Sequence, residues 1–300
     1  MKRDLLKINN ISSSELEALI QRAVELKSGK DISSCPLIGK SVGLFFEKPS
    51  TRTRVSFEVG VYQLGGQPIY LTPKEIQLNR GESIPDTAKV LSRYLSALVL
   101  RTYRHATIED FASFADIPVI NGLSDLHHPC QALADLMTIY EKKGSLSGIR
   151  LTYVGDGNNV VNSLMEAAAK TGMELVISCP EGYDPNPEIY RQSQAANNLI
   201  KIIRDPHEAA DMADVLYTDV WISMGQENEA DHKRQQLRGH QLNSSLLQCA
   251  KKDAIVMHCL PAHRGEEITD EVMDSPQSVV FDQAENRLHT EKALLEFLIS

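Results

Sequence analysis

No hydrophobic run in this 300-residue chain approaches the roughly 20 residues that a membrane-spanning helix needs, so no membrane partner is expected. Cysteine is scarce: five residues, none in a Cys-x-x-Cys pair, which reads as reduced thiols in a reducing compartment. Positive charge is in deficit, 31 Lys and Arg against 40 Asp and Glu, for a net charge of −9. That argues against nucleic acid as a partner, and any anion site must be a local concentration of arginine. No internal repeat, long charge run or low-complexity segment stands out. Met1-Lys2-Arg3-Asp4 has the character of neither a secretory signal nor an Arg/Ser-rich transit peptide. A cytoplasmic protein is therefore expected, unless a presequence has been removed.

What is present is ordinary globular material, 42% hydrophobic and 24% charged, enough for one large or two medium domains. Strand-length apolar runs recur at Val42–Phe46, Pro68–Leu71, Ala97–Arg101 and Val119–Asn121. A second series follows at Arg150–Val154, Glu174–Ser178, Lys201–Ile203, Val215–Thr218, Ala254–His258 and Val279–Phe281. Amphipathic segments such as Ser83–Leu95, Ile108–Ala115 and Asn158–Thr171 lie between them. This alternation predicts an α/β fold of two doubly wound parallel-sheet domains, with ligands at the carboxyl ends of the strands in an interdomain active-site cleft. The polar break Lys142–Gly148 divides the chain into residues 1–142 and 143–283, and a helix over 284–300 is expected to pack back on the first domain.

The densest chemistry lies in Glu47-Lys48-Pro49-Ser50-Thr51-Arg52-Thr53-Arg54, between a strand-like run and a helix start. Free N–H groups at the helix start, hydroxyls and two guanidiniums would make a dianion site. Arg101 ends an apolar strand, from which it would reach either a ligand or a rim carboxylate. His127-His128-Pro129-Cys130-Gln131 opens a helix and offers an imidazole and an amide to a carbonyl or its amino group. Adjacent histidines without a nearby third ligand give no metal site, and none is expected.

Gly155-Asp156-Gly157-Asn158-Asn159-Val160 superficially suggests a dinucleotide loop, but Val160 stands where a third glycine would be needed. A tight turn presenting Asn159 is more economical. Asp219, at a strand end, precedes the chain's single tryptophan and a Ser223-Met224-Gly225 loop suited to a small amino acid. Cys259 and Leu260 follow the most apolar strand; such a cysteine is either packed or nucleophilic, and reactivity would need a depressed thiol pKa. Arg287, in what reads as the first turn of the last helix, is badly placed for that helix's dipole and so points to an anion elsewhere, or to a surface ion pair.

Taken in order, Ser-Thr-Arg-Thr-Arg, Arg-Thr-Tyr-Arg-His, His-Pro-Cys-Gln, Asp-Gly-Asn-Asn, Thr-Asp-Val-Trp-Ile-Ser-Met-Gly-Gln-Glu, His-Cys-Leu-Pro and Glu-Asn-Arg resemble the ornithine branch of the aspartate/ornithine carbamoyltransferase family. The resemblance runs from about Leu37 to the C-terminus. It implies a carbamoyl-phosphate domain followed by an ornithine domain, no cofactor, and a homotrimer, or a multiple of trimers, with active sites at subunit interfaces. It implies that Ser50, Thr51, Arg52 and Thr53 bind the phosphate and that Arg101 bridges phosphate and carbonyl. His128 and Gln131 would hold the carbamoyl group, with Arg287 near the carbonyl. Asn159, Asp219, Ser223, Met224, Cys259 and Leu260 would bind ornithine, and Gln77 would come from the neighbouring subunit. Two departures are visible: His127 stands where many relatives carry an aromatic, and Asn162 where histidine is common.

The implied reaction is attack of the neutral δ-amine of ornithine on carbamoyl phosphate, giving citrulline and phosphate without a covalent intermediate on Cys259. Competing readings are carbamoyl transfer to aspartate, putrescine or acetylornithine, a nicotinamide-dependent dehydrogenase using the Gly155–Gly157 turn, and a catalytically silent binding paralogue.

Overall fold

The computed structural model describes residues 2–29, 35–74, 76, 81–222 and 230–299. The expected site residues Gln77, Ser223 and Met224 lie outside the described residues. The chain forms two compact units, Met1–Met137 with Glu285–Ser300, and Thr138–Ala284. Both breaks fall inside helices, not in the polar Lys142–Gly148 segment.

The first unit runs α1 (Ser13–Lys27), β1 (Ser41–Phe46), α2 (Arg52–Gln63), β2 (Gln67–Leu71), α3 (Ile84–Tyr94), β3 (Ala97–Arg101), α4 (His105–Phe114), β4 (Val119–Leu123) and the first part of α5 (Pro129–Lys143). Its sheet is parallel, in the order β2-β1-β3-β4. The second unit holds β5 (Arg150–Val154), α6 (Asn159–Thr171), β6 (Glu174–Ser178), α7 (Pro187–Ala196), β7 (Ile200–Ile202), α8 (Pro206–Ala210), β8 (Val215–Thr218), α9 (Ala230–Leu237), α10 (Ser244–Leu247), β9 (Ile255–His258) and α11 (Asp270–Met273). Its sheet, also parallel, has the order β7-β6-β5-β8-β9. The last helix, α12 (Val280–Ile299), ends in the first unit.

Local chemistry accounts for the boundaries. Ser12 and Glu15 form a reciprocal capping box that starts α1. Asn158 caps α6 by accepting from the N–H groups of Val160 and Val161. Gly172, at φ 72°, ends that helix in the left-handed conformation that glycine adopts without a Cβ clash. The central strands β1, β3, β5 and β8 are buried almost end to end, as sheets covered on both faces require. One core of the first unit joins Phe45, Leu98, Leu100, Ile108, Phe111 and Val119, and one of the second joins Val154, Leu216, Val256, Ile268 and Val280.

One expected strand is corrected. An isolated bridge joins Ser278, just before this segment, to Val256 of β9, and Val279 N–H donates to the Val256 carbonyl at 3.0 Å, but no strand follows and α12 starts at Val280. The apolar triplet is divided between faces: Val280 is buried and Phe281 is 68% exposed. Arg287 is accordingly not in a first turn. It sits two turns inside α12 and is only 2% exposed, so the surface ion pair is excluded.

Candidate active site

Strand order reverses between β1 and β3 in the first unit and between β5 and β8 in the second. Open α/β sheets bind ligands beyond the strand carboxyl ends at such points. At the first, Phe46 of β1 lies in register with Arg101 of β3. The loop after β1 turns into α2, where Ser50 Oγ accepts from the N–H of Thr53 at 3.2 Å while Thr51 makes no side-chain cap. Thr53 is buried; Ser50 and Arg52 are half-buried. Arg54, expected to share in the anion site, is instead spent elsewhere: its Nε donates to Glu58 at 2.9 Å and its guanidinium lies 3.6 Å over the Tyr70 ring. Lys48 is buried in the same loop, with its ammonium 4.5 Å over the Tyr103 ring.

His128, at the threshold of α5, is buried. Its pKa is driven well below the ordinary histidine value, first by desolvation and then by the charges of Arg287, Arg101 and Arg52. The imidazole is therefore neutral, within electrostatic reach of three guanidiniums. Arg287 ties this cluster together. Its Nη1 donates to Gln131 Oε1 at 2.9 Å, and its Nη2 donates to Thr53 Oγ1 at 3.1 Å. Gln131 in turn donates from Nε2 to Asp135 Oδ1 at 2.8 Å, which fixes the orientation of the amide. Thr53, Arg101, His128, Gln131 and Arg287 are thus gathered in one unit, with Arg52 beside them. Such a set offers a dianion cationic charge and offers a carbonyl neutral N–H donors.

In the second unit Asp219 follows β8 and is 5% exposed. Its Oδ1 accepts from its neighbour Val220 N–H at 2.7 Å and from Cys259 Sγ at 2.7 Å. Its Oδ2 accepts from Asn158 Nδ2 at 2.6 Å. Asn158, not singled out from sequence, thus both caps α6 and holds Asp219; its double Asn-Asn context hid which residue did which. Asn159 opens α6 directly after it. After Cys259, Leu260 adopts φ 56°, a left-handed conformation that costs a side-chain-bearing residue about 1–3 kcal/mol, and Leu260–Pro261 is cis. Leu260 N–H donates to His258 Nδ1 at 2.9 Å, so the His258 proton sits on Nε2 and faces Glu267 at 3.0 Å.

The donor atoms of Asp219, His258 and Cys259 lie within 4.8 Å of one another. They are already committed, however: His258 uses both nitrogens, and the thiol donates to Asp219. The dinucleotide reading fails on space. A Cβ added to Gly157 would come within 2.3 Å of the backbone at Asp184 and Pro185, so the glycine serves the approach of the chain's own 183–185 segment. Lys233 of α9 donates to Asp156 in the same turn at 2.7 Å, a buried ion pair that was not visible in the sequence.

Comparison with known proteins agrees with this division of labour. The carbamoyl-P binding domain of aspartate/ornithine carbamoyltransferase matches residues 3–141, and the Asp/Orn binding domain matches residues 147–298. An ornithine carbamoyltransferase of Syntrophus aciditrophicus is 54% identical over 302 residues, covering all of both chains. That of Methanoculleus marisnigri is 55% identical, covering 100% of this chain and 98% of its own. The solved ornithine carbamoyltransferase of Pyrococcus furiosus superposes with a TM-score of 0.94 at 50% identity, covering 99% of this chain and 97% of its own. The Thermus thermophilus structure gives 0.91 at 41% identity with full coverage of both.

Proposed function

Because this chain belongs to the aspartate/ornithine carbamoyltransferase family, we propose that it transfers the carbamoyl group of carbamoyl phosphate to the δ-amine of L-ornithine, yielding L-citrulline and phosphate. The observation that carries the reading is Arg287 donating at once to Gln131 and to Thr53 of the phosphate loop, in the unit where Arg101 ends β3 in register with the end of β1.

The roles follow from the chemistry. Ser50, Thr51, Arg52 and Thr53 receive the phosphate, where N–H groups and positive charge stabilise the departing dianion. Arg101, His128 and Thr53 polarise the carbonyl oxygen, and Gln131 accepts from the carbamoyl amino group. Asn159, Asp219, Ser223, Met224, Cys259 and Leu260 hold ornithine. Attack by the amine nitrogen forms the new C–N bond and a tetrahedral intermediate. The C–O bond to phosphate then breaks, and a phosphate oxygen takes the amine proton. Nearby arginines favour the neutral amine by disfavouring an ammonium.

Cys259 orients ornithine through Asp219 and makes no bond to carbon. The thiol is already a hydrogen-bond donor to that carboxylate, and an acidic neighbour is no aid to a thiolate. Rapid-quench mass spectrometry tests this: citrulline and phosphate should form together in a one-to-one ratio with Cys259 unmodified. A carbamoyl adduct on Cys259 would refute the direct route.

The working form we propose is a cytoplasmic homotrimer in arginine metabolism, with Gln77 completing the neighbouring subunit's site. Among the described residues no helix is long and apolar enough to cross a membrane. Val55, Val59 and Tyr62 form an exposed apolar stripe along α2, of the kind that self-association covers.

A further inference from the structure

Behind the cluster lies a carboxylate that the reaction as described does not use. Glu291 is 1% exposed, one helical turn beyond Arg287 on α12. Its Oε1 accepts from Arg287 Nε at 3.1 Å and from Nη2 at 2.7 Å. It therefore grips one edge of the guanidinium while the other nitrogen reaches Gln131. Arg287 Nη2 also reaches Thr53, the buried threonine of the phosphate loop. An arginine side chain alone has several rotamers; held on its Nε edge by a buried acceptor, it has one plane in which to present its remaining N–H groups. Asp135 plays the same part for the amide of Gln131.

We propose that Glu291 is a positioning residue for carbamoyl transfer: it sets the plane of Arg287 and, through Arg287, the geometry of Gln131 and Thr53 toward the carbamoyl group. This rests on the proposed carbamoyl-transfer reading. Glu291 touches no substrate and moves no proton. A merely structural pair would matter to folding alone: removing one partner leaves a buried charge and costs stability, but the folded protein would keep its kinetic constants. A positioning pair matters to the rate as well, because a displacement of about 1 Å at such a group costs about a hundredfold in rate.

Burial pushes the Glu291 carboxyl up to about 7, against the opposing pull of Arg287. The groups bearing on it are Arg287 on its own helix, the Ser56 hydroxyl from α2 and the Cys130 thiol from α5, itself raised by burial. Protonation of Glu291 near neutrality should loosen Arg287.

The test compares wild type, Glu291→Gln and Glu291→Asp in citrulline formation and, separately, in calorimetric binding of inorganic phosphate. Both variants should lower kcat and raise KM for carbamoyl phosphate, with kcat/KM down about tenfold or more, as expected for a lost charge-assisted hydrogen bond. KM for ornithine should stay within about twofold, with every protein assayed well below its thermal midpoint, because the unpaired Arg287 lowers stability as well. The rise of wild-type KM for carbamoyl phosphate below pH 7 should be shallower in Glu291→Gln, measured at matched pH so that titration of the phosphate cancels. Wild-type kcat and KM in the variants, or equal increases in both KM values, would overturn the inference. If wild type makes no citrulline, the carbamoyl-transfer reading fails instead. Phosphate binding then decides the role of Glu291 by itself: weaker in the variants supports it, unchanged overturns it.

Discussion

Cys259 donates from Sγ to Oδ1 of Asp219 at 2.7 Å, across the carboxyl ends of β9 and β8. The same carboxylate is held on its other oxygen by Asn158. An acceptor fixed on both sides in this way has a defined direction for the remaining lone pairs, which is what recognition of a small ammonium-bearing substrate requires. Cys259→Ala should therefore raise KM for ornithine by about tenfold while leaving KM for carbamoyl phosphate unchanged, the loss of one hydrogen bond of about 1 kcal/mol or slightly more. Cys259→Ser, which keeps a donor, should retain most of the activity. Steady-state kinetics with each substrate varied in turn reads both.

Asp219→Asn keeps the shape and removes the charge. It should weaken ornithine more than carbamoyl phosphate, by about tenfold or more in Kd. Calorimetric titration of each substrate checks this, and equal weakening of both would indicate a defect of the whole unit.

Arg52→Ala removes one of the guanidiniums bearing on His128 and on the proposed phosphate position. Carbamoyl-phosphate affinity should fall by about a hundredfold with the fold intact, since Arg52 is half-buried at a helix start and fills no core. An unchanged dissociation constant would refute the role.

These predictions draw on residues that differ in how legible they were. The strands β1, β3, β5 and β8 were visible as apolar runs because sheets buried on both faces leave no alternation to disguise them. Val279–Phe281 misled because three apolar residues suit either a short strand or the two faces of a helix start, and the following Asp282-Gln283-Ala284-Glu285 favours the helix. Taking the triplet as a strand puts Arg287 in a first turn and obscures Glu291, although an arginine and a glutamate four residues apart on one helix are an ion-pair spacing readable in any sequence. Arg54 was over-assigned because Glu58 and Tyr70 compete for it, and a contact with β2 is not a sequence-local fact. Lys233 and Asp156 are likewise far apart in the chain and meet only through the fold.

Lys233→Met should destabilise the protein by about 3 kcal/mol, because it leaves Asp156 buried without its partner. Burial already raises the Asp156 pKa, opposed by Lys233. Urea unfolding followed by circular dichroism should show the lower midpoint, and Asp156→Asn combined with Lys233→Met should recover part of the loss.

His127 supplies a pH prediction. Burial, with the neighbouring His105 ring 5.0 Å away, lowers its pKa from 6.5 to about 3. Between those values the unfolded chain takes up a proton that the native state refuses, so stability is present above pH 6.5 and is lost progressively as pH falls toward 3. His127→Phe should flatten that acid limb while leaving stability at pH 8 little changed. A variant that loses stability with acid as steeply as wild type would contradict it.

The most direct test of the central claim is product formation from carbamoyl phosphate with L-ornithine, aspartate, putrescine and acetylornithine offered in parallel to the folded protein. The account predicts turnover with L-ornithine, giving citrulline, and none comparable with the others. Faster turnover with another acceptor, or none with any of the four, would contradict it.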